Sequence, residues 1–288
     1  MGHGAPTVLL DSGLGDSSLS WRQVQGELSK RTRVCSFDRA GYGFSDPAHR
    51  PSTAQAAVDD MSALIDNAQL GTPIILVAHS LGGMQALLFA FERPQLVAGM
   101  VLVDPAYPGQ PQTGGDALQL KANRACLAAA EAGALTGAVP DALQHCLDDP
   151  KNPDSVLHSA LNRQWSRTQT NAARLSEAET LHIKDSNGHS EDDRELIAHW
   201  HKLGAMPLVV LSAGTVWSAT DSMTTAEASA KWAQHIEGHK RLAALSSQGR
   251  DIVVPDTTHY IQQIKPQVVI DAVDKVLVAA RVNSSQKN

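Results

Sequence analysis

At 288 residues, 42% hydrophobic and 19% charged, the chain has the composition of a globular protein, long enough for one large domain with an insertion. A formal charge of −6 without a basic block argues against nucleic acid as a partner, and 4% aromatic residues argue against extended stacking platforms for sugars or bases. No apolar run approaches the roughly 18 residues of a membrane helix, so no membrane span is expected.

The start, Met1 to Leu10, lacks the basic region and cleavage site of a secretory signal, which points to the cytoplasm unless the chain is a mature exported form. Pro6 stands where a myristoylation signal needs Ser or Thr. Three cysteines are too few for a disulfide scaffold. Cys35 falls in an expected buried strand and reads as inert. A disulfide between Cys126 and Cys146 would require an oxidising compartment, for which the chain shows no address, so their state stays open.

In chain order, Thr7 to Asp11 reads as a buried strand. Ser12-Gly13-Leu14-Gly15 follows, then an amphipathic helix from about Trp21 to Arg31. Arg33 to Phe37 is the next strand, running into Asp38-Arg39-Ala40-Gly41-Tyr42-Gly43-Phe44-Ser45. That loop reads as structural, with Asp38 and Arg39 satisfying backbone groups. Ser52 or Thr53 caps a helix reaching about Gln69, whose Val58, Met61, Leu64, Ile65 and Ala68 share one face. Gly71 and Pro73 end it.

Ile74 to Phe89 is the most informative stretch. Ile74-Ile75-Leu76-Val77 reads as a strand buried on both faces, and Met84 to Phe89 as a helix. Between them Ser80 is flanked two residues away on each side by Ala78 and Gly82, as a sharp strand-to-helix turn requires. Such a turn pushes a hydroxyl out at the carboxyl edge of a sheet, beside the free N–H groups of a helix start.

Met100 to Val103 is another strand, ending at Asp104-Pro105. From Ala106 to about Ala205 the strand-helix alternation stops. Helices are expected at about Asp116 to Ala132, Asp154 to Thr180 and Ser190 to Gly204, the last opened by a capping box of Ser190 and Asp193. His182, Asp185, His189, Asp192, Asp193, His199 and His201 match no zinc or calcium spacing and read as a solvated surface, so no metal and no cofactor is expected. Strands return at Met206 to Leu211 and Asp251 to Val254, with a helix from about Thr224 to Ser246 between them. Thr257-Thr258-His259-Tyr260 leads to a terminal helix opened by Pro266, with Val269, Val273, Val276 and Ala280 on one face. Asn283 to Asn288 reads as a frayed polar tail.

A serine hydroxyl becomes a nucleophile only beside a base tuned near neutral pH, and imidazole is that base. Ala78-His79-Ser80-Leu81-Gly82 resembles the G-x-S-x-G nucleophile elbow of the α/β-hydrolases. Ser12-Gly13-Leu14 resembles their oxyanion loop with its histidine replaced. Asp38 to Ser45 is similar to a further family loop. His259 to Pro266 resembles the family's C-terminal histidine segment, with Thr258 replacing a glycine. The resemblance covers roughly residues 7–105 and 206–282. It implies an α/β-hydrolase core over residues 1–105 and 206–288, a mostly parallel sheet of about six strands flanked by helices, and a helical cap over residues 106–205.

The same resemblance implies site roles. Ser80 is the nucleophile, His259 the base, and the N–H groups of Leu14 and Leu81 bind the oxyanion. The acid is ambiguous: Asp104 follows one strand directly, while Asp221 lies ten residues past Leu211, in the loop most members use (221 − 211). Asp104 is preferred. Asp256 is too near His259 in sequence to orient it, and His79 reads as a packing residue. The implied activity is a serine hydrolase cleaving small to medium carboxylic esters through an acyl-enzyme. Carbon–carbon, lactone or amide hydrolysis on the same residues, or a ligand-binding protein without catalysis, remain alternatives. The family's first two strands have no counterpart, which leaves a sheet edge that a second copy could cover as a homodimer.

Overall fold

The aliphatic runs form the strands Val8–Asp11 (β1), Val34–Ser36 (β2), Ile74–His79 (β3), Val97–Val103 (β4), Leu208–Ala213 (β5) and Gly249–Val254 (β6). The computed structural model describes residues 1–112, 115–219 and 223–285. Among the described residues these six strands make one sheet in the order β2-β1-β3-β4-β5-β6, with every adjacent pair parallel.

Successive side chains of a strand point to opposite faces. Leu9, Leu76, Leu102 and Val210 therefore join one core, completed by Ala54–Asn67 (α2), Leu81–Glu92 (α3) and Thr225–Ala243 (α8). Leu10, Val77, Val101 and Leu211 join a second, completed by Arg22–Leu28 (α1) and Pro266–Ser285 (α10). With both faces covered, the central strands read as unbroken apolar runs. At the outer edge of β2, Val34 exchanges both backbone hydrogen bonds with Met1, each 2.8 Å long.

Between β4 and β5 lie Gly115–Glu131 (α4), a 3₁₀ turn at Asp141–Cys146, Ser155–Trp165 (α5), Thr168–His182 (α6) and Glu191–Ala198 (α7). Cys126 and Cys146 are joined in a disulfide that ties α4 to the 3₁₀ turn around a small core with Ala129, Ala130 and Leu135. Such bonds persist chiefly in oxidising compartments. No helix among the described residues is long and apolar enough to cross a membrane.

Several expectations need correction. The single helix over Asp154 to Thr180 is two, because Arg167 turns extended to cap α6 and donates to Gly43 O at 2.6 Å. Asn171 satisfies the carbonyls freed there, donating to Trp165 O and Arg167 O. α7 ends at Ala198 rather than near Gly204, because Trp200 and His201 turn to stack on Phe91 and Leu203 N–H pairs with Leu245 O. The helix expected from Trp21 begins with a 3₁₀ turn at Ser18–Trp21 and stops at Leu28. Asp192 and Asp193 are buried rather than solvated: Asp192 accepts Ala54 N–H at the start of α2, and Asp193 completes the capping box with Ser190. Cys35 is half-buried. α10 continues to Ser285, and the tail residues 286–288 lie outside the described residues.

The insertion is bolted to the sheet by buried charge. Arg39, in the loop after β2, donates to Asp11 Oδ1 of β1 at 2.9 Å and to Glu177 Oε1 of α6 at 2.7 Å. Nη1 also donates to Ser12 O, and Nη2 donates to Gly13 O. Glu177 Oε2 accepts from Tyr42 Oη at 2.7 Å and from Gly15 N–H at 3.1 Å. Burial pushes the Asp11 carboxyl up to about 6 even though Arg39 pulls it down. Removing the guanidinium would leave two buried carboxylates without a counter-charge. Arg39→Met should therefore lower the unfolding free energy by about 3–5 kcal/mol. Urea titration followed by circular dichroism reads this out, and Arg39→Lys should recover part of the loss.

Candidate active site

The turn from β3 to α3 is built by close backbone approach. Ser80 adopts φ 51° and ψ −120°, a conformation that costs a non-glycine residue energy. Its N–H donates to Val103 O at 3.1 Å, and its carbonyl accepts Gly83 N–H at 2.8 Å and Ala106 N–H at 2.9 Å. A Cβ on Gly82 would lie 2.7 Å from Ser12 O, and one on Gly83 would lie 2.5 Å from Pro105 Cβ. Both positions therefore need glycine. Ala78 is fully buried and fits the turn without being one.

At the end of β4, Asp104 also has positive φ, 43°, and its N–H donates to Leu211 O at 2.7 Å. Its carboxylate is buried and saturated. Oδ1 accepts Ala213 N–H at 2.9 Å and faces His235 Nε2 at 3.4 Å. Oδ2 faces His259 Nδ1 at 2.6 Å, and His259 Nε2 lies 2.9 Å from Ser80 Oγ. The carboxylate can only accept, so Nδ1 carries the hydrogen and Nε2 offers its lone pair to the Ser80 hydroxyl. Ser80, His259 and Asp104, far apart in sequence, thus form one continuous hydrogen-bonded chain.

The electrostatics follow from this packing. Burial would raise the Asp104 carboxyl, but hydrogen bonds from His235 and His259 outweigh it and hold the group well below the usual carboxylate range. Burial opposes charge on His259, yet 45% of its side chain is open to the cavity. The hydrogen bond and charge of Asp104 prevail and raise its pKa.

His79 does more than pack. Its Nε2 donates to the His259 carbonyl at 3.0 Å, and the two rings lie 4.5 Å apart. The loop after β6 is thereby held against the elbow. His235 and His239 were not foreseen. They lie four apart on one face of α8, a spacing visible in the sequence. His239 Nε2 donates to Pro105 O at 2.9 Å, and its Nδ1 lies 2.8 Å from Ser212 Oγ. Burial, with the neighbouring His235, pushes the His239 pKa down to about 4. Ligand atoms of Asp104, His235 and His239 converge within 4.8 Å, but each already has a protein hydrogen-bond partner.

Asp221 lies outside the described residues. Asp256 is exposed, with Oδ2 3.7 Å from Lys265 Nζ. Leu81 is the first residue of α3, and Leu14 lines the same cavity as Ser80. That cavity holds about 660 Å³. Leu14, Val216, Trp217 and Met223 line it from the core, and Leu181 and His182 from α6.

The chain belongs to the alpha/beta hydrolase family, whose family model matches residues 8–272. Protein YqjL of Bacillus subtilis (strain 168) is 24% identical over 279 residues, which are 97% of this chain and 86% of that protein. Lipase LipV of Mycobacterium tuberculosis is 36% identical over 103 residues, 36% of this chain and 38% of LipV. Among solved structures, a thermophilic esterase from Thermogutta terrifontis superposes with a TM-score of 0.63 at 20% identity, covering 97% of this chain and 92% of that one.

The pairing predicts a titration. The His259 ring, followed by NMR, should titrate above the ordinary imidazole value of 6.5. Asp104→Asn removes the charge that favours imidazolium, so it should move the midpoint to lower pH. An unchanged midpoint would show that Asp104 does not govern the ring.

Proposed function

We propose that this protein is a serine hydrolase acting on small to medium carboxylic esters. The hydrogen-bonded chain from Ser80 Oγ through His259 to Asp104 carries the reading. Ser80 Oγ attacks the ester carbonyl as His259 Nε2 takes its proton, and Asp104 steadies the imidazolium. The N–H groups of Leu14 and Leu81 receive the developing oxyanion. His259 returns the proton to the leaving alcohol as the carbonyl–oxygen bond breaks. It then activates a water that releases the acid and restores Ser80. The helices between β4 and β5 act as a cap, since α6 supplies Leu181 and His182 to the cavity wall.

Esters are favoured because the site offers a nucleophile, a base and an apolar wall at Leu14, Leu181, Val216 and Met223, and esters ask for nothing more. LipV and the Thermogutta esterase, by their names, support the same class. A lactone, amide or carbon–carbon bond would meet the same groups, and substrate panels separate these. Chemistry on an aspartate nucleophile is disfavoured because Ser80 occupies the elbow.

A p-nitrophenyl ester chain-length series tests the proposal. Turnover should be highest for short to medium acyl chains. Ser80→Ala should lower kcat by on the order of 10⁵-fold or more. Asp104→Asn should cost on the order of 10⁴-fold, and Asp221→Asn should stay near wild type. Turnover that survives Ser80→Ala, or a loss confined to Asp221→Asn, would overturn the assignment.

A further inference from the structure

Behind Asp104 lies a second hydrogen-bonded chain that the proposed reaction does not use. Ser212 on β5 and His239 on α8 are fully buried, and Asp251 on β6 is half-buried. Ser212 Oγ lies 2.8 Å from His239 Nδ1 and 2.5 Å from Asp251 Oδ1, and His239 Nε2 lies 2.9 Å from Pro105 O. The hydrogens of this chain can be counted. A carbonyl only accepts, so Nε2 carries a hydrogen and donates it to Pro105. Nδ1 of a neutral ring is then a bare acceptor, and so is an ionised Asp251. The Ser212 hydroxyl has one hydrogen for the two of them. The contact left without one would set two buried lone pairs against each other, which is costly. One further proton satisfies both contacts. Placed on Asp251 Oδ1, it bonds Ser212 Oγ, and the hydroxyl is free to donate to Nδ1.

Only Asp251 and His239 could hold that proton. Burial and the neighbouring His235, whose ring lies 4.1 Å away, push the His239 pKa down to about 4 although Asp104 and the Pro105 carbonyl pull it up. Asp251 moves the other way. Burial raises its carboxyl against the pull of Ser212, Lys240 and the Ile252 N–H, and the charge of Asp104 adds to the rise. Lys240, the cation facing it from α8, is exposed and paired with Glu237 Oε1 at 2.5 Å. The proton therefore belongs on the carboxyl.

We propose that Asp251 keeps its carboxyl proton at neutral pH and, through Ser212, makes His239 a positioning residue for Asp104. This rests on Ser80, His259 and Asp104 being the reacting chain. His239 acts on Asp104 from two sides. Its Nε2–H holds the carbonyl of Pro105, next after Asp104, and the following N–H, of Ala106, donates to Ser80 O at 2.9 Å. Its ring backs His235, whose Nε2 faces Asp104 Oδ1 at 3.4 Å. When Asp251 ionises, it takes the Ser212 hydrogen. The imidazole hydrogen then moves from Nε2 to Nδ1 to serve Ser212 Oγ, and Pro105 O loses its donor. The ring stays neutral throughout, and the one proton released is that of Asp251.

NMR of the protein labelled in aspartate and histidine, together with pH profiles of kcat, tests this. At pH 7 the Asp251 carboxyl carbon, assigned by its loss in Asp251→Asn, should show the protonated form, and His239 should carry its hydrogen on Nε2. As pH rises through the Asp251 midpoint, that hydrogen should move to Nδ1. Over the same range kcat on p-nitrophenyl butyrate should fall on the order of fivefold, as for one lost buried hydrogen bond, with KM unchanged. Asp251→Asn should abolish the fall, because its amide donates to Ser212 at every pH. A merely structural Asp251 would leave the shape of the profile as it was. An ionised Asp251 or an Nδ1-bound hydrogen on His239 at pH 7 would overturn the proposal. So would a kcat that does not fall across the midpoint, or the same fall in Asp251→Asn. If Asp251→Asn does not fold, the wild-type spectra and profile decide alone. Should no ester be hydrolysed at all, the serine-hydrolase reading fails instead, while the Asp251 and His239 signals still report where the proton sits.

Discussion

The backbone at Ser80 is the constraint from which the rest of the site is measured. Its carbonyl accepts from both Gly83 and Ala106, so the start of α3 and the exit from β4 are pinned to one atom. The close approach of Gly82 to Ser12 and of Gly83 to Pro105 brings three strand ends to one rim. Energy is spent there in an unfavourable φ, and the buried sheet on both sides holds the turn in place. Asp104, next along the rim, repeats the device with its own positive φ.

A second layer of contacts aims the imidazole. The His259 loop has few buried apolar side chains of its own, and a little under half of the His259 side chain is open to the cavity. Its position comes from Asp104 on one side and from His79 on its carbonyl. Behind Asp104, the Ala213 N–H and His235 satisfy the oxygen that His259 does not use. A carboxylate held in this way stays ionised in a buried place, which a lone buried acid would not. The insertion is joined to this arrangement through Glu177, whose bond to Gly15 reaches the loop that also carries Gly13, Leu14 and Asp16. The insertion and the loop after β1 therefore share one buried charge cluster.

Much of this was legible in the chain because the signals were local or positional. Strands buried on both faces show as apolar runs, and the elbow shows as small residues around Ser80. His259 stood out among twelve histidines by following the last strand. What escaped was tertiary. The break between α5 and α6 comes from docking on Gly41 and Gly43, not from a breaker in the sequence. Asp192 looked solvated because its partner, the start of α2, is 138 residues away in sequence. Asp16 follows a glycine turn and looks like any loop acid. That it lies 3.9 Å from the buried His79 ring shows only in the fold. Between Asp104 and Asp221 the sequence could not choose, because both follow strands and neither spacing excludes the other.

The central claim is that Ser80 is made nucleophilic by His259. Labelling with a fluorophosphonate, followed by peptide mass spectrometry, tests it without any choice of substrate. The adduct should map to Ser80 alone, and its rate should collapse in His259→Ala while the folded state is retained. A label on another residue, or equally fast labelling of Ser80 without His259, would contradict the account.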